Sequence, residues 1–204
     1  MQDFLNGLML LSNFLIVPAT AYGSQLALGA LGVTLVYGIL RFSNFAHGDT
    51  MAFGTMVVIL VTALFQKMGV SIDPLPTALL AIPFGIAATT LMVLISDRLV
   101  YRHQRKVKAA PVVFLISSIG LMFVLNGLVR FVIGTGDQRF SDGERFIIRF
   151  GEFKELTGLD EGIAFKTSQG LTILTAIIVV AALFWFLERT RAGKSMRAYS
   201  DNED

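Results

Sequence analysis

The chain has 204 residues, 54% of them hydrophobic and only 16% charged, with a mean hydropathy of +0.67. Average soluble domains carry roughly 25% charged residues, so a water-facing globular fold is excluded and an integral membrane protein is expected. The net charge of +2 does not mark a nucleic-acid partner, because the bases lie in short clusters beside apolar runs. The lack of cysteine excludes disulfides, thiol catalysis and cysteine metal sites.

Six apolar runs, each near the roughly 20 residues of a spanning helix, predict an all-α, polytopic transmembrane bundle of about six spans. The first, Phe4 to Ala21, is interrupted by Asn6, Ser12 and Asn13. Ala19-Thr20-Ala21 has the look of a leader cleavage site, yet Asp3 and no base precede it, so a retained membrane segment is expected. The second run, Ser24 to Leu40, places Gly23, Ala27, Ala30, Thr34 and Gly38 at spacings of three and four. Such a stripe lets another helix approach closely, as ordinary packing does in lipid.

Between the second and third runs lies RFSNFAHGDTMAFG, Arg41 to Gly54. Polar side chains at membrane depth are costly and tend to mark function, whereas in an external loop they cost nothing. Read locally, Asn44 and Gly48 end one helix, Asp49 caps the next, and His47 is tolerated at an interface. The runs Met51 to Met68, Pro76 to Ser96, Pro111 to Ile133 and Leu171 to Leu187 follow, with Pro74, Pro76 and Pro111 near run ends.

Lys and Arg set the orientation. Arg98, Arg102, Arg105, Lys106 and Lys108 follow the fourth run, and Arg189, Arg191, Lys194 and Arg197 follow the last, so both segments are expected in the cytoplasm. Gly134 to Gly170 mixes Asp137, Asp142, Glu144, Glu152, Glu155, Asp160 and Glu161 with bases and is expected outside. Counting back places NFAHGD toward the cytoplasm, with Arg41 agreeing, and the N-terminus inside if the first run spans. Trp185 between Phe184 and Phe186 suits an interfacial aromatic belt.

No catalytic constellation, metal-ligand set or cofactor motif is visible. His47 and His103 fall in different connections. Gly193-Lys194-Ser195 imitates the end of a phosphate-binding loop, but Glu188 stands where its first glycine belongs and a membrane span precedes it. For RTRAGKSMRAYSDNED two readings stand: plain positive-inside charge, or a short amphipathic helix with Ala192, Met196 and Tyr199 as its apolar side, seated in a partner's groove.

Three blocks resemble a family: TLVYGILRFSNFAHGDTMAFG, YRHQRKVKAAPVVFLISSIG and RTRAGKSMRAYSDNED are similar, in order and spacing, to permease subunits of bacterial branched-chain amino-acid ABC transporters of the LivH type. The likeness covers the chain from about Ser24 onward, with His103 replacing a customary proline. Family members continue with several further membrane helices, so the resemblance implies that residues 1–204 form the N-terminal part of a single transmembrane permease domain.

The resemblance further implies a multi-pass protein of the bacterial inner membrane, non-catalytic, forming half of an alternating-access pathway. Its partners would be membrane lipid, a second homologous permease, two cytoplasmic ATPases and a periplasmic substrate-binding protein. Tyr37, Gly38, Asn44, Phe45, Ala46, His47 and Gly48 would form a gate hinge beside the pathway, with Asn44 and His47 bonding across helices. Arg191, Gly193, Lys194, Arg197 and Ala198, within the cytoplasmic segment 189–204, would couple to an ATPase, Gly193 allowing close approach and Arg197 meeting an acid. The outer loop 134–170 would face the binding protein.

Rival readings are the same fold importing urea, amides or other amino acids, and an ion-coupled secondary carrier. The carrier should show acids or bases inside its spans, and the six runs show essentially none away from their ends. A purely structural membrane protein explains neither the polar break nor the basic terminal segment.

Overall fold

The computed structural model describes residues 2–40, 42–70, 75–138, 146–158 and 161–201. Arg41, Pro74, Asp142, Glu144 and Asp160, and the end of the basic segment at 202–204, lie outside them. The helices are α1 (Gln2–Leu11), α2 (Val17–Leu40), α3 (His47–Lys67), α4 (Ala78–Ser96), α5 (Arg102–Lys106), α6 (Pro111–Ile133), α7 (Phe150–Thr157), α8 (Thr167–Arg189) and α9 (Arg191–Asp201). Five stretches among the described residues are long and apolar enough to cross a membrane.

Five replaces about six because the first two runs form one helix. A π turn, Ser12–Ile16, joins α1 to α2, and Gln2–Ile39 is continuous over 38 residues. Val17 N–H donates to Ser12 O, so the ladder has already slipped to a five-residue step where Pro18 removes a donor. Along this helix Ser12, Thr20 and Ser24 each donate to the carbonyl four residues back, at 2.7–2.8 Å.

One crossing instead of two also reverses the expected end of the chain: with α4 and α8 leading into cytoplasmic bases, Gln2 falls outside. The contacts agree. Asn13 donates to Gly162 O at 2.6 Å and accepts from Ala164 N at 2.9 Å, and Asn6 accepts from Glu161 N at 3.3 Å, all in the segment expected outside.

A second π turn, Asp97–Tyr101, carries α4 into α5, so the basic connection begins as a helical extension reaching Lys106. Arg105 binds both oxygens of Asp97 across it, at 2.7 and 2.8 Å. The described part of the segment 134–170 carries secondary structure of its own. Strands β1 (Phe146–Ile148) and β2 (Phe165–Lys166) pair antiparallel around α7, with an irregular register between Phe146↔Lys166 and Ile148↔Phe165.

The chain forms two compact units, residues 32–143 and residues 1–31 with 144–204. In the first, small and hydroxylated residues face inward: Ala46, Ala81 and Ser118 are fully buried, and Thr62 and Ser96 nearly so. Among the described residues, Leu125 is the one large apolar side chain that is also fully enclosed. Leu99, Phe123 and Phe131 point outward instead, the reverse of a soluble core and the arrangement lipid selects. α3 and α4 cross at glycine. A Cβ at Gly54 would meet Thr89 Oγ1, and one at Gly85 would meet Val58 Cγ2 and stand 3.2 Å from Gly54 O. In the second unit Phe14, Phe184 and Trp185 are exposed.

Candidate functional site: a polar turn between two spans

α2 ends at Leu40 and α3 begins at His47, so the turn 42–46 carries the residues singled out above. It is not a slack loop. Phe42 is buried against Tyr101 and Phe114, with ring centroids 5.7 and 5.2 Å away, and Tyr101 stacks on Phe114 at 6.4 Å. Ala46 is fully buried.

Backbone groups of Ser43, Phe45 and Ala46 find side-chain partners. Asn44 Oδ1 accepts from Ala46 N at 3.1 Å, forming a local turn of its own, and Tyr101 OH reaches the same oxygen at 3.5 Å, the outer limit of a hydrogen bond. Ser118 of α6 accepts from Phe45 N at 3.1 Å. Its single proton goes to Leu115 O at 2.7 Å, with Ser43 O second at 3.4 Å. Ser118→Ala leaves the part-buried Phe45 N–H without its side-chain partner. We expect a loss of about 1–3 kcal/mol in stability, read as a lower thermal midpoint in detergent.

His47 lies against another helix. A Cβ at Gly32 would stand 2.5 Å from His47 Nε2 and 2.7 Å from its Cε1, so the imidazole occupies the notch that Gly32 leaves in α2. Asn44 thus bonds across to the α4 extension, and His47 packs across to α2. Gly38 and Gly48 have open space where a Cβ would go, and neither has a positive φ; Tyr37 and Phe45 are exposed.

Asp49 does not cap α3. The cap position is Ala46, which makes no side-chain cap bond, and Asp49 sits in the first helical turn. Its Oδ1 accepts from Asn126 Nδ2 of α6 at 2.9 Å. Asn126 lies 15 residues, about 22 Å of helix rise, beyond Pro111 and about 10 Å short of Ile133. The carboxylate therefore meets α6 well inside its span. Gly32, Tyr101, Phe114, Ser118 and Asn126 were not singled out in the sequence. A lone carboxamide in LMFVLNGLVRFVI was the available signal for Asn126.

Gly23, Ala27, Ala30 and Thr34 are exposed on α2, and a Cβ at Gly23 would meet nothing. Along α3 and α4 runs an open groove of about 620 Å³ lined by Met51, Gly54, Val58, Ile82, Ile86 and Thr89. The Thr55 and Thr89 hydroxyls there donate to Met51 O and Gly85 O, and no charged group lines it.

The basic terminal segment is a helix with a built corner. Thr190, extended at ψ 153°, caps α9 by accepting from Gly193 N at 3.0 Å, and itself donates to Phe186 O at 2.7 Å. Gly193 is buried against α8: a Cβ would strike Phe186 O and stand 2.6 Å from Leu187 Cα and 2.8 Å from Leu187 O. Arg197 donates to Leu187 O at 2.7 Å, satisfying a carbonyl at the end of α8. The close approach at Gly193 is thus to the chain's own backbone, while Arg191, Lys194 and Ala198 stand exposed.

The family model described as "Branched-chain amino acid transport system / permease component" matches residues 15–204. The high-affinity branched-chain amino acid transport system permease protein BraD of Pseudomonas aeruginosa is 28% identical over 187 residues, covering 92% of this chain and 58% of that protein. The corresponding proteins LivH of Salmonella typhimurium and of Escherichia coli are 28% and 27% identical, each over 88% of this chain and 56% of its own length. The chain thus spans little more than half the length of these relatives. No solved structure matches it. With five membrane-length helices among the described residues, the chain is a multi-pass membrane protein. The match over nearly its whole length, on helices that carry the polar turn and the basic corner, makes the chain a member of the branched-chain amino acid transport permease family.

Proposed function

We propose that the chain is the N-terminal part of a transmembrane permease domain in an ATP-driven importer of branched-chain amino acids. It forms half of the translocation pathway, beside a second homologous permease, and works by alternating access. Two cytoplasmic ATPases power the cycle and a periplasmic binding protein delivers cargo to the outer segment 134–170. The observation that carries this reading is the α8–α9 corner in a chain of this family: a helix fixed to the end of a span, offering Arg191 and Lys194 to the cytoplasm. A rigid corner transmits force between an ATPase and a span, which a loose basic tail does not.

The polar turn is the hinge of that cycle. Asn44 and His47 connect α3 to the α4 extension and to α2 through one long hydrogen bond and one packed notch, contacts weak enough to exchange during a cycle. The exposed stripe Gly23, Ala27, Ala30 and Thr34 serves close helix packing in the full permease. Gly38 and Gly48 leave room for helices to shift.

Asp49, now inside a packed helix pair, gives the ion-coupled carrier its one specific support. The full-length permease reconstituted with its partners decides between the two. Uptake of radiolabelled leucine requires ATP and persists after an ionophore; uptake that needs no ATP and collapses with the ionophore overturns the importer. In the same vesicles, Arg191→Glu with Lys194→Glu lowers uptake roughly tenfold with the chain at normal membrane levels, because reversed charges repel the surface that the corner engages. Unchanged uptake removes the coupling role. Urea or amides competing as well as leucine move the cargo to the rival class.

A further inference from the structure

We infer that the cavity at the outer end of α8 is a binding site for a phospholipid whose headgroup carries a primary ammonium beside its phosphate. The cavity, about 620 Å³, falls within the roughly 300–1,000 Å³ of small-molecule sites. Its walls divide by chemistry. Leu10, Phe14 and Pro18 of the continuous Gln2–Ile39 helix make one side apolar. Glu161, Lys166 and Gln169, all half-buried, give the other side one acid, one base and one carboxamide.

The polar groups differ in what they have left to offer. Asn13, which also lines the cavity, is spent on structure: its Nδ2 donates to Gly162 O at 2.6 Å and its Oδ1 accepts from Ala164 N at 2.9 Å, tying the two walls together. Glu161 is held through its backbone N–H, which donates to Asn6 Oδ1 at 3.3 Å, and its carboxylate makes no hydrogen bond or ion pair among the described residues. Gln169 Oε1 accepts from Lys166 N at 3.1 Å, which leaves the amide N–H donors. Lys166 supplies the positive charge, its ammonium 5.9 Å from the Phe146 ring centroid. An ionised acceptor beside a cation and amide donors matches a ligand that carries an N–H cation and an anion a few atoms apart.

Depth selects the source of that ligand. Lys166 is the cap residue of α8, a 23-residue span whose other end leads into the cytoplasmic bases, so the polar wall stands at the headgroups of the outer leaflet. The apolar wall continues beyond the cavity: Phe14 is 79% exposed, and Leu11 and Leu15 beside it are exposed too. A free amino acid leaves that surface bare, whereas acyl chains cover it. A primary ammonium offers N–H donors to the Glu161 carboxylate and a quaternary one offers none, so the site distinguishes ethanolamine from choline headgroups.

The inference does not depend on the importer reading. Photoreactive phosphatidylethanolamine is crosslinked to the assembled full-length transporter in detergent, and label is expected on the peptides carrying Phe14 and Glu161. An excess of unlabelled phosphatidylethanolamine lowers the label at least about fivefold, and the same excess of phosphatidylcholine less than about twofold. Glu161→Gln keeps the shape and loses the charge, and brings the two lipids within about twofold of each other. Equal competition by both lipids in the unaltered protein overturns the inference whatever the variant does, so a variant that fails to assemble leaves the decision to that comparison. An unchanged preference in Glu161→Gln overturns it as well. Removal of the label by free leucine at the same concentration assigns the cavity to an amino acid and overturns the lipid.

Discussion

Gly193→Val is expected to uncouple the protein while leaving it inserted: leucine uptake falls about a hundredfold and ATP hydrolysis no longer responds to cargo. The cause is steric and local. Even a Cβ at this position strikes Phe186 O and stands 2.6 Å from Leu187 Cα, and these are backbone atoms of a membrane helix that have nowhere to go. Overpacking against rigid backbone costs on the order of 3 kcal/mol or more, which is about the stated hundredfold in the population of closed corners. Opening the corner also separates Arg197 from Leu187 O and Thr190 from Gly193 N, so α9 loses its cap together with its anchor. Cysteine pairs placed in α8 and α9 check the cause: crosslinking should disappear in Gly193→Val and persist in Arg191→Glu. Normal crosslinking with lost uptake would show that the corner had not opened.

Gly85→Leu is expected to destabilise the α3–α4 pair by roughly 3 kcal/mol or more, seen as loss of folded protein in a detergent unfolding titration. Lipid gives adjoining helices little hydrophobic reason to associate, so close backbone approach supplies much of the binding. Here Gly85 faces Gly54 O and Val58, while Gly54 faces Thr89. Gly85→Ala is the milder probe. Its Cβ meets a side-chain methyl first, so Val58→Ala should recover most of its loss. Gly85→Leu also presses toward the Gly54 carbonyl, and Val58→Ala should not rescue it. Equal rescue of both would mean that the glycines do not set the crossing.

Some elements could be read directly from sequence, and the reasons are local. The Pro111–Ile133 span has its predicted bounds because proline fits the first helical turn and Gly134, at φ 84°, ends the last. The gap expected between Ala21 and Ser24 is absent: α2 runs straight through it, and Thr20 and Ser24 beside it donate to their own helix four residues back. The polar turn was legible as a place, through Asn44 and His47, but its partners were not. Ser118 and Tyr101 stand 73 and 57 residues away from the groups they bind, and no spacing rule links such positions. Asp49 looked like a cap because caps are local; Asn126, 77 residues on, took its carboxylate instead. Gly193 stood out in the sequence as a place of close approach, and within the chain the backbone of α8 lies against it.

The unbroken helix from Gln2 to Ile39 also ties the protein to its bilayer. Thirty-eight residues extend about 57 Å, against a hydrocarbon core of about 30 Å. Tilted by 40°, the limit seen for spanning helices, it still projects about 44 Å along the membrane normal. Its outer end is therefore held at the headgroups or above them, where the Asn6 and Asn13 side chains tie it to residues 161–164. Thicker membranes immerse more of this rod and thinner ones less, so the mismatch between rod and bilayer acts on the same segment that Asn6 and Asn13 hold.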